Sequence, residues 1–296
     1  MSELVAQQVL NALALGGVYA LLGLGLAMVF SVLGMINFAH GELMTFTGYA
    51  LIFLSATLGW PFFLAVFAAF AVAAASAALI ERVAFRPVRG ASLTTMLLTT
   101  FAISSILHVV FQNFISPRPI AVAIPDWLTS TAQFSGLRIG MLQCISLGVT
   151  VVALIGLTVF LRFSITGLAM RAAAQDFSIT RLMGIPANRV IVTAFAISGL
   201  LAGLSGFLWV AQRGSVDPLM GFVPVLKAFI AVVLGGLGSL PGAVLGGFLL
   251  GFLEVLLRAM LPSELLPFRD AISLSIIITI LVLRPNGLLG RAEAVR

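Results

Sequence analysis

The sequence predicts an all-α polytopic membrane protein, and three observations predict it. Of 296 residues, 61% are hydrophobic and only 9% charged, against about 25% charged in an ordinary soluble domain. The apolar residues form long runs without the in/out alternation of a barrel strand, so helices are the way to satisfy the backbone in hydrocarbon. The arginines gather in three short gaps between those runs. With mean hydropathy at +1.19, there is too little polar surface to cover a water-facing globule of this size.

A helix needs about 20 apolar residues to cross a core of about 30 Å. Runs of that kind lie at residues 4–33, 36–59, 61–81, 93–114, 140–161 and 191–211, then at 225–238 with 242–258, and at 271–284. The first run is longer than one upright span requires, so it is either tilted or broken near Gly16-Gly17. It begins without a basic n-region and exceeds a signal-peptide core, so no cleavage is expected. These runs predict eight to ten membrane segments within a single transmembrane domain spanning 1–296.

The gaps at 81–92, 162–190 and 284–296 hold ten of the sixteen basic residues and only three acidic ones, Glu81, Asp176 and Glu293. The positive-inside rule therefore places all three gaps in the cytoplasm. Two cytoplasmic gaps must be separated by an even number of crossings. Between 190 and 284 that parity requires the run from Lys227 to Arg258 to cross twice or to enter and return. A break at Gly235-Gly236-Leu237-Gly238-Ser239-Leu240-Pro241-Gly242 supplies the turn. A net charge of +6 forms no aromatic-interleaved basic stripe, so no nucleic-acid partner is expected; the bilayer is the partner instead. One cysteine, Cys144, and two histidines exclude an intrachain disulfide and a Cys/His metal cluster. The glycine pairs Gly199/Gly203, Gly242/Gly246 and Gly247/Gly251 have the small-xxx-small spacing of close helix contacts, which reads as packing within the chain ahead of a dimer seam.

Among polar residues at membrane depth, the stretch Asn37-Phe38-Ala39-His40-Gly41-Glu42 stands out. On an unbroken helix Asn37 and His40 share a face, whereas Glu42 lies about 200° from His40. Two readings stand: an unwound turn at Gly41 that lets the polar groups line one cavity, or an interfacial turn wetted by headgroups. The break at 235–242 is not a phosphate loop, because the one lysine, Lys227, precedes the glycines. It reads as a discontinuous helix whose Gly235, Gly236, Gly238 and Ser239 present dipoles to a solute, or as a packing kink. Lys227 and Glu254, near segment ends, read as snorkelling to the interface. His108 reads as a packed or hydrogen-bonded helix residue, and Thr99, Thr100, Ser104 and Ser105 as interhelical hydrogen-bond formers. No catalytic constellation can be assembled.

Residues 164–190 form a different kind of gap. Leu168, Ala172, Ile179, Leu182 and Met183 make an interrupted apolar side, Arg171, Gln175, Asp176 and Arg181 a polar one, and Gly184-Ile185-Pro186 a stop. Amphipathicity alone allows such a helix to lie flat on headgroups or to insert into a groove of a soluble subunit.

The chain resembles the integral-membrane permease subunits of branched-chain amino acid ABC importers over nearly its whole length. The likeness is carried by Gly17-Val18-Tyr19-Ala20-Leu21, by Gly34-Met35-Ile36-Asn37-Phe38-Ala39-His40-Gly41-Glu42, and by Arg171-Ala172-Ala173-Ala174-Gln175-Asp176 with Gly184-Ile185. It continues in Lys227-Ala228-Phe229, in Val233-Leu234 followed by the glycine break to Ala243, and in Leu283-Arg284-Pro285-Asn286-Gly287-Leu288-Leu289-Gly290-Arg291. The resemblance implies an inner-membrane permease fold working with a second related permease, two cytoplasmic ATPase subunits that hold ATP and Mg, and an extracytoplasmic solute-binding protein. It implies no cofactor on this chain, and it makes residues 167–186 the element that couples to the ATPases, with Arg171, Ala172, Ala173, Ala174, Gln175, Asp176 and Gly184 as its residues. Gln175 stands where the family often has an acidic residue. The implied cargo is leucine, isoleucine and valine; some relatives carry urea or short amides. The rival from another class is a self-contained secondary transporter or channel.

Overall fold

The computed structural model describes residues 2–134, 137–175, 177–284 and 287–289 as a bundle of long helices around one central helix. That central helix is α1 (Ser2–Leu33), which runs unbroken through Gly16 and Gly17. It has no polar side, because neighbours surround it: Val18, Ala20, Leu21, Leu22, Leu24 and Ala27 are fully buried. The two glycines serve packing instead of a break. A Cβ at Gly16 would lie 2.9 Å from Phe248, and one at Gly17 would lie 2.6 Å from the Thr150 hydroxyl.

The second apolar run is not one straight span. After α1 the chain turns at Gly34, which has φ +66°, and residues 34–39 stay non-helical until α2 (His40–Ile52) begins. A wide π turn at Phe53–Thr57 prolongs α2. Helix α3 (Phe62–Ile80) extends through a second π turn, Glu81–Phe85, into the first arginine-rich gap. Helix α4 (Leu93–Phe114) starts from Ser92, whose hydroxyl caps the Thr95 amide. Between α4 and α6 (Met141–Phe163) lie strand β1 (Ile120–Ala121), a single turn α5 (Asp126–Thr129) and a hairpin of β2 (Thr131–Phe134) and β3 (Leu137–Gly140).

Two short helices, α7 (Ile165–Gln175) and α8 (Phe177–Leu182), precede α9 (Ala187–Arg213), which ends on the left-handed Gly214. Strand β4 (Ser215–Val216) pairs antiparallel with β1. Helix α10 (Phe222–Gly235) is 14 residues long, and α11 (Leu240–Met260) follows after the glycine break. Helix α12 (Arg269–Leu283) closes the bundle. Seven helices are long and apolar enough to cross a membrane. Among the described residues α10 is a further, shorter apolar helix.

The predicted small-residue faces are contacts within the chain. Gly247 meets Ala20 and Gly251 meets Gly16 where α11 crosses α1; Gly199 and Gly203 meet Ala73 and Ala77 between α9 and α3; Gly246 meets Ala231 between α11 and α10. In lipid, where burial between helices gains little over burial in acyl chains, such backbone approach supplies much of the association.

The N-terminal end of α1 lies beside the β2–β3 hairpin: the Arg138 amide donates to Gln7 Oε1 at 3.0 Å, and Gln143 Nε2 to Asn11 Oδ1 at 2.5 Å. That hairpin is at the opposite end of α4 and α6 from the arginine-rich gaps. With those gaps in the cytoplasm, α1 begins on the extracytoplasmic side.

Candidate functional site

Two regions carry the residues singled out in the sequence, and they lie at different depths. The first is the unwound entry to α2. The break comes before His40, at residues 34–39, and not at Gly41, which sits inside the helix with its Cα against the Gly221 carbonyl. Bare backbone at this depth is tolerated because protein covers it: Met35, Asn37, Phe38 and Ala39 are all buried.

From there the polar side chains diverge, as the helical angle between them requires. His40 points toward α1 and α9. Its Nδ1 lies 3.1 Å from Ser198 Oγ, which also donates to the Gly25 carbonyl at 2.9 Å. Gly25 is the only residue type that leaves room for this ring, since a Cβ there would lie 2.6 Å from it. Glu42 points toward α4. It accepts from Ser104 Oγ at 2.9 Å and lies 2.7 Å from His108 Nε2. Its side chain is fully buried. His108 in turn packs edge-on against Phe222, while Phe38 stacks on Phe101 and meets Phe229. Asn37, His40 and Glu42 therefore do not line one cavity. His40 ties the start of α2 to α9 and Glu42 ties it to α4, while Asn37 is buried beside them. Of the four hydroxyl residues read as interhelical, only Ser104 bridges helices by a hydrogen bond: Thr99 and Thr100 donate to carbonyls of their own helix, Thr95 and Leu97.

The glycine break lies at the other end of α10, a distance of about 20 Å at 1.5 Å per residue. Gly236 has φ +107° and Gly238 φ +81°, which permits the reversal, and the Ser239 hydroxyl caps α11 by accepting from the Gly242 amide at 3.1 Å. The carbonyls at the end of α10 are not open to a solute. Leu288 N–H donates to the Leu234 carbonyl at 2.8 Å, and Leu289 N–H to the Gly235 carbonyl at 3.0 Å. Gly235, Gly236, Gly238 and Ser239 thus form a closed connection, separate from the region of residues 37–42.

Lys227 and Glu254 do not snorkel. Lys227 Nζ lies 2.7 Å from Glu254 Oε1 and 3.1 Å from Asp270 Oδ1, and Tyr19 donates to Glu254 Oε2 at 3.1 Å. This ionic cluster joins α1, α10, α11 and α12. The sequence contains its members but no local signal that they meet. A second unforeseen trio sits at the cytoplasmic side. Arg89 pairs with the buried Glu81 and donates to Asn188 Oδ1 at 2.6 Å, tying the loop after α3 to the start of α9. Burial pulls the Arg89 guanidinium below its ordinary value.

The second region is α7–α8, in the gap that the positive-inside rule assigns to the cytoplasm. Gly167, Met170 and Ala173, at a spacing of three, are buried against the bundle, and a Cβ at Gly167 would strike the last turn of α6. Arg171, Ala174 and Gln175 are exposed, Ala172 is half-buried, and Gly184 takes φ +79° before α9. Asp176 lies outside the described residues. The large apolar side chains Leu168, Leu182 and Met183 are 59%, 85% and 76% exposed. Leu168 and Met183 border a cavity of about 760 Å³ between α7, α8 and the start of α9. The apolar side predicted for this segment is thus uncovered, and a second, small-residue side holds it to the bundle. Among the described residues no three His, Cys, Asp or Glu side chains come together as a metal set.

Comparison with known proteins places this architecture. The family described as branched-chain amino acid transport system / permease component matches residues 8–283. The chain is 37% identical to the high-affinity branched-chain amino acid transport system permease protein LivH of Escherichia coli K12, over 97% of this chain and 96% of that protein. It is 36% identical to the corresponding permease BraD of Pseudomonas aeruginosa, with the same coverage. The similarity to the E. coli permease LivM is 26%, over 97% of this chain and 71% of LivM. An all-helical multi-pass bundle matched from end to end in this way identifies the chain as a member of the branched-chain amino acid transport permease family.

Proposed function

We propose that the chain is the membrane-spanning permease subunit of an ATP-driven importer that carries leucine, isoleucine and valine across the bacterial inner membrane. The observation that carries this reading is the match to LivH along 97% of the chain and 96% of the relative. The likeness to LivM supports a second, related permease as its partner. Two cytoplasmic ATPase subunits supply ATP and Mg chemistry, and an extracytoplasmic binding protein delivers the solute. The chain itself makes and breaks no bonds.

In this reading α7–α8 is the coupling element. Its apolar outer side, Leu168, Leu182 and Met183, seats in a groove of an ATPase subunit, and its inner side, Gly167, Met170 and Ala173, bears on α6, α1 and α9. Nucleotide that favours one ATPase conformation then shifts the bundle between outward and inward openings, because a docked helix shares the free-energy difference between the two states. Arg171, Ala172, Ala174 and Gln175 face outward or along the rim of this element, where they set its register on the partner. Asn37, His40 and Glu42 take part in the pathway by holding the unwound entry to α2, where the buried backbone is not helical.

The test is ATP hydrolysis in nanodiscs by the permease copurified with its partners and binding protein, with leucine, isoleucine, valine and urea as solutes. Stimulation by the branched amino acids is expected. Stimulation by urea alone would keep the machine and replace the cargo. Solute uptake by the lone chain without an ATPase would overturn the importer reading.

A further inference from the structure

A cleft of about 760 Å³ opens at the cytoplasmic ends of α1, α4 and α9, on a different side of residues 185–186 from the apolar cavity of α7–α8. Its lining holds Arg86, Arg89, Arg181 and Asn188, and among the described residues no acidic side chain lines it. Arg89 is held in place by Glu81 and Asn188, so its head is already oriented. Neither Arg86 nor Arg181 makes an ion pair among the described residues, and both are exposed. Asn188 accepts from Arg89 through its oxygen, which leaves its amide nitrogen to donate into the cleft. Apolar side chains complete the lining, among them Leu33 at the end of α1, Met96 in the first turn of α4 and Ile191 near the start of α9.

We propose that this cleft binds the phosphate headgroup of an anionic phospholipid from the cytoplasmic leaflet. Three guanidiniums around one concavity recognise a phosphate, and helix ends are the depth at which headgroup gives way to acyl chain. The apolar lining decides between sources of that phosphate. A free anion gains nothing from Leu33, Met96 and Ile191, whereas the first methylenes of a lipid chain are buried against them. An acidic segment of an ATPase is the less fitting occupant, because the uncovered apolar side chains of α7 and α8 border the other cavity. A lipid bound here touches both the loop that follows α3 and the residues that lead from α8 into α9. It therefore spans the two cytoplasmic elements that Arg89 and Asn188 already join. The inference does not depend on which solute is carried.

The experiment is native mass spectrometry of the full-length chain, with whatever subunits copurify, delipidated in an uncharged detergent. It is titrated with phosphatidylglycerol, phosphatidylethanolamine or inorganic phosphate. At about a factor of five per arginine, Arg86→Gln with Arg181→Gln is expected to weaken phosphatidylglycerol binding about 30-fold, and each single change about fivefold. Arg86→Lys with Arg181→Lys keeps most of the affinity, phosphatidylethanolamine binding is unchanged, and millimolar inorganic phosphate does not displace the lipid. Equal phosphatidylglycerol binding by wild type and the glutamine variants overturns the proposal. Displacement by inorganic phosphate would make this a free-anion site. Loss of copurifying ATPase with lipid binding intact would assign the arginines to a protein partner. The single variants remove exposed side chains only, so the test survives a double variant that fails to assemble.

Discussion

Lys227 Nζ lies 2.7 Å from Glu254 Oε1, with 9% and 4% of the two side chains exposed, so an ammonium and a carboxylate from α10 and α11 meet inside the bundle. The pair is extended by Asp270 at the start of α12 and by the Tyr19 hydroxyl of α1. Helix α12 otherwise buries little of itself: Ser273 and Ile277 are its only fully covered side chains. The ionic cluster is therefore the main specific tie between α12 and the rest.

Removing Lys227 strands Glu254 in a low-dielectric site, whereas removing Glu254 leaves Lys227 its Asp270 partner. Lys227→Met is expected to destabilise the protein by about 3–5 kcal/mol, Glu254→Leu by less, and the double substitution by less than Lys227→Met alone. Thermal unfolding in detergent, followed for the three variants, checks the non-additivity; costs that simply add would show the charges to be independent.

The contact of Glu42 with Ser104 and His108 makes a graded prediction. Glu42→Gln keeps an acceptor for Ser104 and a group near His108, and is expected to cost about 1 kcal/mol. Glu42→Ala leaves two polar partners unpaired in the bundle, at about 2–4 kcal/mol. If uptake falls in Glu42→Gln while its melting temperature is unchanged, the carboxylate acts in the pathway beyond its role as a tie.

Where α11 crosses α1, a Cβ at Gly247 would lie 2.5 Å from the Ala20 amide. Backbone cannot yield there as a flexible side chain would. Gly247→Ala is expected to cost about 1–3 kcal/mol, and Gly247→Val more. Gly156, with open space around it, is the control, and Gly156→Ala should leave folding yield and melting unchanged or slightly improved.

On the cytoplasmic segment, Leu182→Glu and Met183→Glu alter only exposed side chains. Insertion and melting are expected to stay as in wild type, while copurification of the ATPase is lost. Ala173→Pro is harsher, because Ala173 faces inward and proline breaks α7; it should uncouple hydrolysis from transport. Normal uptake by the Ala173→Pro protein would sink the coupling assignment.

What could be read in the sequence follows from how locally each feature is encoded. The reversal between α10 and α11 is written in adjacent residues, since Gly236 and Gly238 take backbone angles that other residues resist. The packing glycines carry their spacing with them. The divergence of His40 and Glu42 follows from 100° per residue, although the sequence did not place the unwinding before His40, where Ala39 offers no side-chain cap. The meeting of Lys227 with Glu254, and of Glu81 with Arg89 and Asn188, depends on which helices become neighbours. No spacing along the chain encodes that, so each charge looked like an ordinary residue near the end of an apolar run. The role of residues 287–289 was hidden for the same reason.

Those three residues have a further consequence. The amides of Leu288 and Leu289 complete the hydrogen bonding of α10, a helix whose own residues were made more than fifty positions earlier. A chain halted after α12 would possess every long helix and still leave two carbonyls of α10 bare. Residues 287–289 thus act as a seal on the α10–α11 reversal, supplied from a stretch that lies beyond every long helix the seal protects.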